Sequence, residues 1–381
     1  MSVLEVEDLN VRYDAEGDRK VHAVDGVDFT VEPGETFGFV GESGCGKTTL
    51  GKSLMALLDS NGYVESGEIW FDGTLPRWED ENGDARQEIR DDDAYPVRQD
   101  GYTNLAALDE DDMRDIRWRN IALIPQSAMN ALNPVYKVGD QIAEAILRHE
   151  PDTSKEEADE RARDLIERVG IDPPRADDYA HEFSGGMKQR AVIAMAMACS
   201  PDLLIADEPT TALDVIIQDR ILEELEDLQD EFDVSIIVIS HDISVMAEIC
   251  DRLGVMYGGK LMEDGPKDEV LESSANPYTL GLKNSFPTIQ SDQDLVSIPG
   301  SPPTLINPSE GCRFVDRCPF AVNECRTAHP PSFDVDVAEA EGNRREADPG
   351  GHRSACYRVD EVETMRENAT QRETWNEKVT Q

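Results

Sequence analysis

An α/β fold built on a mainly parallel sheet is predicted by three observations: an apolar strand that runs into a glycine-rich loop and a helix, two further apolar strands late in the chain, and helical periodicity between them. The first strand is Thr36-Phe37-Gly38-Phe39-Val40. The loop is Gly41 to Thr48, and Leu50, Leu54, Leu57 and Leu58 follow at helical spacing. Strand, loop and helix stand in the order that a phosphate-binding loop requires. The later strands are Leu203 to Ala206 and Val234 to Ile239.

The remaining elements follow in chain order. Val3, Leu4, Val6 and Leu9 alternate as in a strand, a turn-rich AEGDRK stretch intervenes, and Val21 to Val31 reads as a second strand. Between Glu79 and Asp115 there are 14 acidic residues against 4 basic ones. With few apolar positions, this region reads as a solvated insertion over about 75–112. Helical patterns at Val138 to Leu147 and Lys155 to Val169 predict a helical subdomain over about 127–185. After Val270 the composition turns Pro- and Ser-rich, which places a boundary near 270–285. The expected organisation is a nucleotide-binding domain over 1–270, an extension over 271–360 and a flexible polar tail over 361–381.

Composition narrows the function. The 381 residues carry 80 Asp plus Glu against 36 Lys plus Arg, a net charge of −44. Such acidity opposes binding to a phosphate backbone, so nucleic acid is not an expected partner. The length suggests two domains at about 150 residues each, and 39% hydrophobic residues suffice for a core. No run reaches the ~20 apolar residues of a membrane span, and the amino terminus lacks signal-peptide character, so the chain is expected in the cytoplasm. Acid spread throughout, with 26 Arg against 10 Lys, suits concentrated salt, where a Debye length of about 3 Å suppresses repulsion. A merely acidic protein is the alternative.

Gly41 to Thr48 fits G-x-x-x-x-G-K-[ST] at every fixed position. Gly41, Gly44 and Gly46 let backbone N–H groups of the loop, Ser43 and Cys45 included, turn toward phosphate oxygens at a helix start, with Thr49 next in line. Lys47 is expected between the β- and γ-phosphates, and Thr48 on Mg²⁺. The strand Leu203 to Ala206 ends in Asp207, placed for the Mg²⁺ shell, and Glu208, placed to orient or deprotonate water.

Phe183-Ser184-Gly185-Gly186-Met187-Lys188-Gln189-Arg190, just upstream of that strand, resembles the signature motif of ABC-type ATPases. The resemblance implies an ABC-type P-loop fold, with an antiparallel β subdomain and a helical subdomain beside the main sheet. It also implies two cassettes sandwiching two ATP molecules, with Ser184, Gly185 and Gly186 serving the partner's γ-phosphate. Further matches come in the family's order. Gln126 resembles the Q-loop glutamine, a Mg²⁺ and catalytic contact; Ala212-Leu213-Asp214 resembles the D-loop; His241 in Ser240-His241-Asp242 resembles the switch histidine that contacts the γ-phosphate; and Tyr13 occupies the place of the aromatic that stacks on adenine.

The segment Ile124 to Pro134 and the sequence SGGMKQR are similar to the oligopeptide/dipeptide importer branch, as is Cys312-Arg313-Phe314-Val315-Asp316-Arg317-Cys318-Pro319. That branch implies an ATP-hydrolysing subunit on the cytoplasmic membrane face, paired with a second ABC ATPase, two permease subunits and an extracellular solute-binding protein. The solute, whether peptide, nickel or sugar, stays open. Gln126, Met129 and Leu132 are the expected surface for the permease coupling helix. A soluble ABC ATPase acting on ribosomes or nucleic acid is the alternative, and a tail that senses redox state is a third reading.

Seven cysteines are present, and Cys312, Cys318, Cys325 and Cys356 cluster late, with five, six and thirty residues between successive members. Reduced cytoplasmic thiols favour metal ligation over disulfides. The missing C-x-x-C argues against a zinc ribbon. Some members of the resembled branch carry a [4Fe–4S] cluster here, the favoured expectation, with zinc or free thiols as alternatives. His329 and His352 could substitute as ligands but read as surface residues. Cys45, where serine is frequent, reads as a tolerated small side chain or an oxidation-sensitive thiol.

Overall fold

The computed structural model describes residues 2–73, 97, 98, 100–126, 130–211, 213–285, 297–341, 343–347 and 350–376. The chain opens with strands β1 (Leu4–Asp14), β2 (Lys20–Val31) and β3 (Thr36–Val40), helix α1 (Lys47–Leu54) and β4 (Gly62–Asp72). Next come β5 (Tyr102–Asn104), α2 (Glu110–Ile116), β6 (Ile121–Ile124), α3 (Val138–His149), α4 (Lys155–Arg168), α5 (Gly185–Ala196), β7 (Leu203–Asp207), α6 (Val215–Phe232) and β8 (Ser235–Ser240). The last third holds α7 (Ile243–Ile249), β9 (Arg252–Tyr257), β10 (Lys260–Pro266), α8 (Lys267–Glu272), α9 (Pro277–Asn284), α10 (Glu324–Thr327), β11 (Phe333–Asp334), α11 (Val335–Glu341), β12 (Arg353–Ser354), α12 (Val362–Ala369) and α13 (Arg372–Asn376).

Two compact units result, and their limits do not coincide with residue 270. One comprises Met1–Val3, Val31–Thr36 and Phe71–Ser240. Its sheet is parallel, with Ile121 opposite Leu203 and Leu203 opposite Ser235. Every residue of β7 and β8 is buried, which is why they read as unbroken apolar runs rather than as alternation. Helices α3 and α4 pack together, and each has a buried apolar face, Ile142 and Ile146 on the one and Ala162, Leu165 and Ile166 on the other. Ser154 caps α4 by accepting a hydrogen bond from the Glu157 N–H, with Glu156 and Glu157 against the positive helix end.

The acidic region is partly folded. Residues 74–96 and 99 lie outside the described residues, whereas Tyr102 in β5, Leu105 just after it, and Met113 and Ile116 in α2 are buried. Four apolar side chains suffice to anchor a strand and a short helix, so the insertion expected over about 75–112 is folded from residue 102 onward.

The other unit comprises Leu4–Thr30, Phe37–Trp70 and His241–Gln381. Here β1 lies between β2 and β4. β3 pairs parallel with β9, after which β10, β12 and β11 add antiparallel. Phe29, Phe37 and Phe39 form its aromatic centre, with Phe37 and Phe39 each within 5.5 Å of Phe29. The late extension thus contributes strands of its own, with Asp264 opposite Arg353 in register and bonded to its Nε at 2.7 Å. The region expected as a flexible tail over 361–381 is folded as far as it is described, to residue 376. Residues 362–376 form α12 and α13, whose Met365, Ala369 and Trp375 are buried, and the Trp375 indole N–H donates to the Ala369 carbonyl. Polar composition hid a one-sided apolar stripe.

Candidate functional site

The phosphate loop takes its shape from contacts of its backbone. Gly46 has φ +110°, and a Cβ there would stand 2.1 Å from the Ala23 carbonyl oxygen. Only glycine fits such an approach. A Cβ on Gly41 would meet the Met256 carbonyl oxygen at the same distance. Ser43 and Gly44 are exposed, while Thr48 and Thr49 sit half-buried in the first turn of α1. The Lys47 ammonium donates to the carbonyls of Gly41 at 2.7 Å and Glu42 at 3.3 Å, so a buried cation is held inside its own loop. Cys45 is buried, and that burial pushes its thiol pKa up despite the neighbouring Lys47. A buried, protonated thiol fits the small structural side chain rather than the oxidation-sensitive one.

Asp207 is buried at the carboxyl end of β7, and Glu208 follows with φ +51°, an uncommon conformation for a residue with a Cβ. The Glu208 N–H donates to the Ile239 carbonyl at 2.8 Å, which fixes the turn. Its carboxylate accepts from Gln126 Nε2 at 2.8 Å and from Thr211 Oγ1 at 2.9 Å. The structure thereby joins the sequence-predicted Gln126 and Glu208, and adds Thr211, which no local pattern marked.

Ser184 caps α5, accepting from the Met187 N–H at 3.3 Å, and Ser184 and Gly185 lie exposed at the helix start. A Cβ on Gly186 would come within 2.9 Å of Ile217. Asp214, exposed, caps α6 through the Ile217 N–H. His241 is exposed just past β8. The ring of half-buried Tyr13 lies against Gly62, where a Cβ would be 2.5 Å from its Cε1. Of the expected coupling surface, Met129 falls outside the described residues and Leu132 is buried; Val135 and Tyr136 are instead 69% and 56% exposed.

Cys312, Cys318, Cys325 and Cys356 all line one small cavity in the extension. The Cys312 N–H donates to the Cys325 carbonyl, and the Arg358 N–H points at Cys356 Sγ, 3.4 Å away. Burial, with Cys325 nearby, pushes the Cys312 thiol up to about 11. Cys356 is likewise raised, by burial and by the three other cysteines. Among the described residues, however, no group of three or more His, Cys, Asp or Glu side chains is arranged to hold a metal ion. Neither histidine lines that cavity. His352 is buried rather than superficial, with Nε2 2.9 Å from Glu263, and His329 is held down to about 3 by burial and by Lys260 and Arg313.

A glycine-built phosphate loop before α1 and an acid pair closing a parallel strand define a P-loop ATPase. Comparison with known proteins narrows the class. Residues 24–211 match the family described as ABC transporter, and residues 262–325 match the oligopeptide/dipeptide transporter C-terminal region. The chain is 43% identical over 338 residues to the oligopeptide transport ATP-binding protein OppD of Bacillus subtilis, covering 87% of this chain and 86% of the relative. It is 42% identical to the dipeptide transport ATP-binding protein DppD of the same organism, covering 86% and 90%. A dimeric ATP-binding cassette solved with ADP and Pi shares the fold at a TM-score of 0.55 and 22% identity, over 69% of this chain and 98% of that one. The chain belongs to the ATP-binding subunits of oligopeptide/dipeptide ABC transporters. It is an ABC-type ATPase, and membership in a transporter family stands against the ribosome or nucleic-acid alternative. No described helix is long and apolar enough to cross a membrane.

Proposed function

We propose that this chain hydrolyses ATP to energise import of di- or oligopeptides, at the cytoplasmic face of the membrane, with a second ABC ATPase, two permease subunits and an extracellular binding protein. The organisation read from the sequence, a cassette over 1–270 and an extension over 271–360, goes with it. The loop from Gly41 to Thr49 would bind the phosphates, with Lys47 as the cation among them and Tyr13 on the adenine. Thr48, Asp207 and Gln126 suit Mg²⁺ by their oxygen donors. Ser184, Gly185, Gly186 and Asp214 would serve the partner cassette's nucleotide, and His241 the γ-phosphate. The exposed Val135 and Tyr136, beyond Gln126, suit an apolar permease helix.

Hydrolysis rests on one observation, the Glu208 carboxylate fixed by Gln126 and Thr211. A carboxylate so oriented can align a water and take its proton as the γ-phosphate transfers. Glu208→Gln should lower turnover by about 10²–10⁴ with ATP still bound. Turnover left intact, measured as phosphate release beside nucleotide binding, would show the base to be elsewhere.

The four cysteines lining one cavity are the right donor set for a [4Fe–4S] cluster, with zinc as the alternative. Such a cluster would supply redox chemistry or structural cross-linking. Anaerobically purified protein should contain iron and acid-labile sulfide; zinc in their place would reject the cluster. The charge of −44 supports adaptation to high salt.

A further inference from the structure

The second residue of the phosphate loop, Glu42, is held by the carboxyl-terminal extension. Arg317, 275 residues away, grips its carboxylate with both terminal nitrogens, Nη1 to Oε2 at 2.6 Å and Nη2 to Oε1 at 2.9 Å. Arg317 is itself fixed, donating from Nε to the Pro299 carbonyl at 2.9 Å and from Nη1 to Tyr257 Oη at 3.0 Å. The Glu42 backbone is tied as well, its N–H donating to Tyr278 Oη at 2.9 Å. Tyr257, Tyr278 and Phe314 pack around this point with ring centroids 4.5–5.3 Å apart. Bidentate arginine–carboxylate pairs fix geometry as well as charge.

We infer that Arg317 is a positioning residue for ATP binding, neutralising Glu42 and setting the loop so that a polyanionic nucleotide can enter. Without it a bare carboxylate faces the triphosphate, in a chain with no surplus of cation. The inference rests on the reading of Gly41 to Thr49 as the phosphate site, and goes beyond it by making the extension part of that site.

The test is equilibrium binding of a fluorescent ATP analogue with Mg²⁺ to the full chain, with thermal melting alongside. Arg317→Ala should weaken binding by about tenfold, the effect expected of one uncompensated charge in the loop. Arg317→Lys, which keeps the charge and loses the fork, should lie between the two, and KM should move more than kcat. Arg317→Ala with Glu42→Gln should recover most of the affinity, which a merely misfolded extension could not do. Wild-type affinity in Arg317→Ala, or no recovery in the double variant, overturns the inference. If Arg317→Ala does not fold, wild-type affinity in Arg317→Lys does so. Lys47→Ala separates the two levels: ATP bound as tightly without Lys47 removes the phosphate-site reading itself, whereas loss there with Arg317→Ala unaffected removes only the role of Arg317.

Discussion

Replacing Gly46 by alanine adds one carbon to the phosphate loop and separates two physical costs. The first is conformational, because φ +110° is a backbone that L side chains rarely adopt. Left-handed backbone costs a residue with a Cβ about 1–2 kcal/mol. The second is steric. The new Cβ would stand 2.1 Å from the Ala23 carbonyl oxygen, well inside the 3.4 Å at which ordinary contact begins, and the obstacle is backbone with no rotamer to yield. Overpacking of this kind costs about 1–3 kcal/mol, so the sum is about 2–5 kcal/mol. Gly17 provides the control. It has φ +77° with nothing within 4 Å of an added Cβ, so Gly17→Ala should bear the conformational cost alone. At about 2.1 cal/mol/K of unfolding entropy per residue, 1 kcal/mol moves the Tm of this 381-residue chain by a little over 1 °C, so Gly17→Ala should fall by about 2 °C and Gly46→Ala by about 4 °C. Gly46→Ala should also lose ADP affinity, since the loop can escape the clash only by opening. Equal melting shifts for the two variants, or unchanged ADP binding in Gly46→Ala, would refute the close approach as the reason for glycine.

Two further outcomes are expected. Burial opposes the charged form of His352, but its hydrogen bond to the buried Glu263 and that group's charge outweigh the cost and hold the imidazole above its ordinary 6.5. A raised folded-state value stabilises fully below 6.5 and is lost as pH rises through the folded value. The wild-type Tm should therefore fall more steeply above about pH 6.5 than that of His352→Gln, and parallel curves would remove the pair from the account. With −44 of net charge, Tm should climb between about 0.1 M and about 2 M KCl as repulsion is screened; a Tm that stays flat would argue for a merely acidic protein.

Local chemistry was legible without coordinates because the interactions are local. The loop from Gly41 to Thr48 adjoins the helix it begins, and β7 announces its burial by an unbroken apolar run. Short-range rules were enough to place Lys47, Asp207 and Glu208 at element ends. They failed where opposing signals shared a segment: buried Met113 and Ile116 among carboxylates, and Trp375 within a polar tail.

The sequence by itself determined the strand, loop and helix from Thr36 to Leu54, the acid pair Asp207-Glu208 and the family. Only the tertiary structure decided which distant residues pair. Arg317 on Glu42, Arg353 on Asp264 and His352 on Glu263 span 275, 89 and 89 residues. No periodicity or spacing rule reaches that far, because which charges become partners depends on which surfaces lose water together, and that is settled only when the chain packs.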